Sequence, residues 1–151
     1  MTDRPIVESA VLRDYRQSVK IIGELSNKYC EDVRGICTND FESFYYSVCR
    51  FPYIEDAEFE EINARPKWIL KMNGADCKKK STLIASWCIL HKVPVRFVVM
   101  SNRSNCEPHH IYTEIFRGGL WIPADATYNT NKLGYVVPET FREVFEYEKK
   151  K

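Results

Sequence analysis

The sequence has little net charge, no long apolar run, no internal repeat and no low-complexity segment. Lysine and arginine number 22 against 21 aspartates and glutamates, a formal net charge of +1. That balance gives no general attraction to nucleic acid or to an acidic membrane surface, so neither is an expected partner. No apolar run reaches the roughly 18 residues that cross a bilayer. The start, Met1-Thr2-Asp3-Arg4-Pro5, lacks the basic-then-apolar order of a signal peptide, and the expected location is the cytoplasm. Metal-ligand spacing is also missing. Cys30 and Cys37 are separated by six residues, wider than a zinc knuckle uses. The acidic stretch Glu55-Asp56-Ala57-Glu58-Phe59-Glu60-Glu61 lacks the fixed ligand offsets of a hard-cation loop and reads as a solvated loop or first helical turn. No metal and no cofactor are expected.

What is present is enough for one core. The chain has 151 residues, 44% hydrophobic and 13% aromatic, which fits a single domain over 1–151. Its six cysteines, Cys30, Cys37, Cys49, Cys77, Cys88 and Cys106, are expected to be reduced thiols rather than a disulfide framework.

The first part, about residues 6–66, reads as helical. Val11, Leu12, Tyr15, Val19, Ile22, Leu25 and Tyr29 recur at three- and four-residue spacing along one stripe. A second helix starts at a Thr38-Asn39-Asp40 cap, carries Phe41, Phe44, Tyr45 and Val48, and ends at Phe51-Pro52. The central part, about 67–137, contains a helix from Cys77 that Pro94 stops, with Leu83, Ile84, Trp87, Cys88 and Leu90 on a wide apolar face. Val95 to Met100 reads as a strand covered on both faces. His110 to Phe116, the turn Arg117-Gly118-Gly119 and Leu120 to Asp125 form a hairpin, with Pro123 marking an edge or strand end. The tail, about 138–148, carries Phe141, Val144, Phe145 and Tyr147 and reads as a closing helix.

Chemistry concentrates at Gly74-Ala75-Asp76-Cys77. A cysteine in the first turn of a helix faces unpaired N–H groups and the positive end of the helix dipole, which favour the thiolate. Lys78, Lys79 and Lys80 add positive potential. The hairpin offers the partners. A two- or four-residue loop centred on Arg117 and Gly118 makes His110 and Asp125 direct cross-strand neighbours. A Gly118-Gly119 loop leaves them diagonal on the same face, and an odd loop without a bulge separates them. A carboxylate beside an imidazole fixes its tautomer, and the imidazole can then take a proton from a thiol. Cys77, His110 and Asp125 therefore meet the type requirement for a thiolate acyl-transfer triad, although spacing alone does not bring Cys77 to His110.

The segments Gly74-Ala75-Asp76-Cys77, Pro94-Val95-Arg96-Phe97-Val98, His110 to Ile115 and Trp121 to Thr127 together resemble the bacterial and phage branch of the transglutaminase-like superfamily. Tyr53-Ile54-Glu55-Asp56 and Ala64-Arg65-Pro66 extend the likeness, which runs from about Phe41 to Thr127. The resemblance implies a papain-like α+β fold, with Cys77 as nucleophile at the head of a core helix packed on an antiparallel sheet that carries His110 as base and Asp125 as orienting carboxylate. It places His109 one residue out of phase, on the other face. For the oxyanion, the backbone N–H of Cys77 is the first donor, and Trp68, Tyr45 or Tyr46 is the candidate second. Two departures from the family stand out. Lys78 to Lys80 replace acidic or neutral residues, a change open to tuning the thiolate or selecting an acidic substrate. Lys92 replaces the glycine before the proline, so the helix should end without its left-handed glycine cap.

The expected partner is a protein or peptide substrate, attacked at an amide through a Cys77 thioester. Hydrolysis, glutamine deamidation and crosslinking share that chemistry, and the resemblance ranks hydrolysis slightly ahead. A catalytically inactive binding or assembly module is the alternative. A zinc protein using Cys106, His109 and His110 stands well behind it.

Overall fold

The structure of the protein, a computed structural model, describes residues 15–56 and 62–146. Helix α1 (Tyr15–Lys28) turns Val19, Ile22 and Leu25 into the core. Val11 and Leu12, assigned to the same stripe by their spacing, lie outside the described residues, as does most of the acidic stretch. A single 3-10 turn, Cys30–Val33, leads to α2 (Phe41–Arg50). Asp40 caps α2 as expected: its carboxylate accepts from the Ser43 N–H at 3.0 Å and from the Ser43 hydroxyl at 2.6 Å. Phe41, Phe44 and Tyr45 point inward, and Trp87 of the central helix packs on the first two rings.

Helix α4 (Cys77–Leu90) is central, with burial running round nearly its whole circumference. A short α3 (Pro66–Ile69) with proline at its first position precedes it. Helix α4 lies on a four-stranded sheet of order β3-β2-β1-β4, built from β1 (Val95–Ser101), β2 (His110–Arg117), β3 (Leu120–Ala124) and β4 (Phe141–Glu146). All three pairings are antiparallel. Strand β1 is covered on both faces: Phe97 and Val99 join the main core, while Val98 and Met100 pack with Tyr112 and Val136 on the far side. Pro123 sits on the edge strand β3, where a missing N–H donor costs no ladder bond. Helices packed on one antiparallel sheet, with a cysteine heading the central helix, make this an α+β chain, the class expected from the sequence.

One expectation fails and another is refined. The tail is a strand, not a helix: Phe141–Glu146 pairs antiparallel with β1, Val98 opposite Val144 and Phe97 opposite Phe145. Val144 packs on the outer cluster while its neighbour Phe145 packs on the main core, an alternation that only a strand gives. The i, i+3, i+4 spacing of Phe141, Val144 and Phe145 is that of a helix stripe, but β4 is covered on both faces and so needs no one-sided pattern, and the open edge of β1 decides the outcome. The remaining residues of the predicted closing helix, from 147 on, lie outside the described residues. The end of α4 also differs. Lys92 itself adopts the left-handed conformation, φ 60°, and Val93 N–H reaches Cys88 O at 2.8 Å while Lys92 N–H reaches Ile89 O at 3.3 Å. That is the Schellman pattern, so the left-handed cap is kept without the glycine.

Candidate active site

Each part of the site is fixed by a local device. Gly74 lies where Pro52 and Ile54 press on the chain: a Cβ there would sit 2.6 Å from Pro52 O and 2.7 Å from the Ile54 side chain. This close approach allows a bridge between Tyr53 and Ala75, with Ala75 N–H donating to Pro52 O at 2.9 Å. Asp76 then caps α4 by accepting from the Lys79 N–H at 3.0 Å. Cys77 is the first residue of the helix, 7% exposed. Its N–H is among the first-turn groups that have no intrahelical acceptor.

The hairpin closes through Gly118 and Gly119, both at positive φ, with Arg117 opposite Leu120. This is the register that leaves His110 and Asp125 diagonal on one face. His110 Nε2 and Asp125 Oδ2 are 2.7 Å apart. With Nε2 so engaged, Nδ1 is the nitrogen left for the Cys77 thiol, which lines the same cleft as His110 and acts on the imidazole. Burial alone would lower the His110 pKa, but the hydrogen bond with Asp125 and the influence of Cys77 outweigh it and push the imidazole up to about 10. Burial also acts to raise Asp125, yet its bonds to His110 and Thr127 hold the carboxyl below the usual range.

Asp125 is doubly employed. Its Oδ1 accepts from the Thr127 N–H at 3.1 Å and the Thr127 hydroxyl at 2.6 Å, a turn-capping role, leaving Oδ2 for His110. Its carbonyl accepts from Tyr45 Oη at 2.7 Å and Asn131 Nδ2 at 2.9 Å. The three residues thus converge at one end of the sheet, at the wall of an open cleft of about 350 Å³. Such an arrangement can hold a thiol beside an oriented base.

Other residues depart from expectation. His109 lines the same cleft rather than facing away, because it precedes β2 and strand alternation does not govern it. Its Nε2 accepts from the Asn102 N–H at 3.2 Å. None of the proposed second oxyanion donors lines the cleft. Tyr45 Oη bonds Asp125 O, Tyr46 Oη accepts from the Leu133 N–H at 3.4 Å, and Trp68 Nε1 is buried with no hydrogen-bond partner. Tyr53 and Tyr128 flank the thiol instead, their ring centroids 5.0 Å apart. Burial first, and then negative charge at Cys77, raises both hydroxyls. The aromatic at 53 falls in a segment that carried the resemblance, but nothing in its local sequence marked it as part of the site.

The lysine run is not a docking surface. Lys78 pairs with Asp76 at 3.0 Å, Lys79 pairs with Asp56, and Lys80 is 1% exposed with its ammonium donating to Thr127 O at 2.7 Å. Internal partners therefore hold all three charges. Among the described residues no group of three or more His, Cys, Asp or Glu side chains is arranged to hold a metal ion. Cys106 is exposed, its sulfur 3.5 Å from Thr140 O.

Comparison with curated protein sequences finds no match. Among solved structures, a candidate cysteine protease from Cytophaga hutchinsonii aligns at 16% identity and TM-score 0.48 over 87% of this chain and 48% of its own. The chain therefore spans about half the length of that protein. A family model, the transglutaminase-like superfamily core, matches residues 17–126, most of the described fold and all three residues of the cysteine, histidine and aspartate cluster. The chain belongs to the transglutaminase-like superfamily.

Proposed function

We propose that the protein is a thiol-dependent hydrolase or acyltransferase acting on amide bonds of protein or peptide substrates, with Cys77, His110 and Asp125 as its catalytic triad. The observation that carries this reading is the part-buried 2.7 Å His110–Asp125 contact in the cleft that also holds the thiol heading α4. Asp125 holds the imidazole with Nε2 toward the carboxylate and Nδ1 toward sulfur, and His110 takes the thiol proton. The thiolate attacks the carbonyl carbon, a C–S bond forms, the C–N bond breaks, and His110 returns the proton to the departing amine or ammonia. Water or a second amine then resolves the thioester, regenerating the thiol. The Cys77 N–H is the donor for the developing oxyanion, in line with its position at the helix start.

The test is parallel assay of peptide cleavage, ammonia release and amine incorporation. Turnover should vanish in Cys77→Ala and fall on the order of 10³- to 10⁴-fold in Asp125→Asn, where the imidazole loses its orientation. Undiminished turnover in purified Cys77→Ala overturns the proposal. Which of the three products appears separates hydrolysis, deamidation and crosslinking.

A further inference from the structure

The chain after Asp125 does more than leave the sheet. Tyr128, Asn131, Tyr135, Val136 and Val137 all line the cleft that holds Cys77 and His110. Tyr128 is 49% exposed, Tyr135 60% and Val137 41%, so three of the large apolar side chains that the described surface leaves in water stand at this one opening. The backbone that presents them is tied down. Asn131 Nδ2 bonds Asp125 O at 2.9 Å, Leu133 N–H meets Tyr46 Oη, and Gly134, at φ 90°, donates its N–H to Pro123 O at 2.8 Å. Leu133 packs against the main core, and Val136 packs on Met100 and Tyr112, next to the ring of His110. Apolar side chains held in water by an anchored backbone mark a surface that gains free energy when something covers it.

We propose that Tyr135, Val136 and Val137, with Met100 beneath them, form a specificity subsite for a large aliphatic or aromatic side chain next to the attacked carbonyl, so that the substrate is an extended peptide with an apolar residue at that position. This rests on the triad reading above and names its substrate class. Continuity argues for the occupant: the subsite abuts His110 in the same cleft, so a chain whose carbonyl lies over Cys77 passes directly across it. The lysine run next to Cys77, bound to internal partners, offers no rival anionic subsite.

The experiment compares two alkylating probes on the full chain, iodoacetamide and N-(2-phenylethyl)iodoacetamide. Each transfers its carboxamidomethyl carbon to sulfur as iodide leaves and the thiol proton passes to base. Rates at each cysteine are read by peptide mapping, and the exposed Cys106 reports the intrinsic reactivity of each probe. At Cys77 the aromatic probe should be favoured about tenfold over the ratio seen at Cys106. Val137→Asp and, separately, Tyr135→Ala should return that ratio toward the Cys106 value, with folding verified by circular dichroism. Leu120→Ser, at a 70% exposed apolar residue outside the cleft, should leave it unchanged. No aromatic preference at Cys77, or a preference that survives both cleft variants, overturns the subsite while leaving the triad standing. Cys77 reacting no faster than Cys106 with plain iodoacetamide overturns the triad reading itself.

Discussion

His110 gives the site a pH signature. Its folded pKa, pushed up to about 10, lies above that of a free imidazole, so its contribution to stability is complete below about 6.5 and is lost as pH rises through about 10. Asp125 works the other way: its carboxyl is lowered, so its contribution is present above about 3.9 and is lost as pH falls through the folded value. The pair should therefore contribute most between about pH 4 and 6.5. Urea midpoints of the wild type and Asp125→Asn should differ most near pH 6 and draw closer toward pH 10, the bonds from Thr127 to Asp125 keeping the gap open; a gap that widens with pH contradicts the assignment. Gly74 is the other residue whose identity is decided locally. Gly74→Ala forces a Cβ against Pro52 O and Ile54, and should cost about 1–3 kcal/mol and slow Cys77 alkylation, since the displaced segment carries the helix cap. A Gly74→Ala protein with unchanged urea midpoint counts against the close approach.

At the scale of elements, α4 ends in a conformation that lysine adopts at a cost. A left-handed non-glycine residue is strained by about 1–2 kcal/mol, and the Schellman bonds to Cys88 and Ile89 hold Lys92 there. Lys92→Gly should stabilise the protein by about 1 kcal/mol, read as a higher urea midpoint with an unchanged slope, because the backbone geometry already suits glycine. The elements also show where periodicity carries information. Fourteen residues of α1 and ten of α2, with Asp40 as cap, were legible because several turns repeat the same stripe. Six residues of β4 were not: Phe141, Val144 and Phe145 have the i, i+3, i+4 spacing of a helix, and a strand covered on both faces is free of that pattern, so the choice belongs to the partner strand Val95–Ser101.

At the scale of the molecule, the site joins a helix to a hairpin, and Lys80 is one of the ties. Three residues beyond Cys77, its buried ammonium reaches Thr127 O at 2.7 Å, while Thr127 in turn bonds the Asp125 carboxylate. Burial lowers the Lys80 pKa, a cost set against its bond to the carbonyl. Lys80→Met should change stability by only about 1 kcal/mol, since the lost bond is offset by the absence of a buried charge. It should slow Cys77 alkylation on the order of tenfold and move its pH profile, because Asp125 then holds His110 less firmly. A slower rate with the same pH profile would mean that Lys80 serves packing alone.

What the sequence determined by itself is what depends on neighbours along the chain. A cysteine at a capped helix start, an imidazole and a carboxylate that any even hairpin loop puts on one face, and an apolar helix ended before Pro94 follow from local backbone geometry and side-chain period, while the structure chose the Gly118-Gly119 register. The tertiary structure decided what depends on residues remote in sequence. It brought the thiol into the cleft beside His110 and turned Lys79 and Lys80 inward onto Asp56 and Thr127. It also moved Tyr45 and Tyr46 away from the cleft to brace the segment after β3, and put Tyr53 and Tyr128 beside the sulfur. No spacing rule reaches these contacts, because each is set by how elements distant in sequence pack together around the sheet.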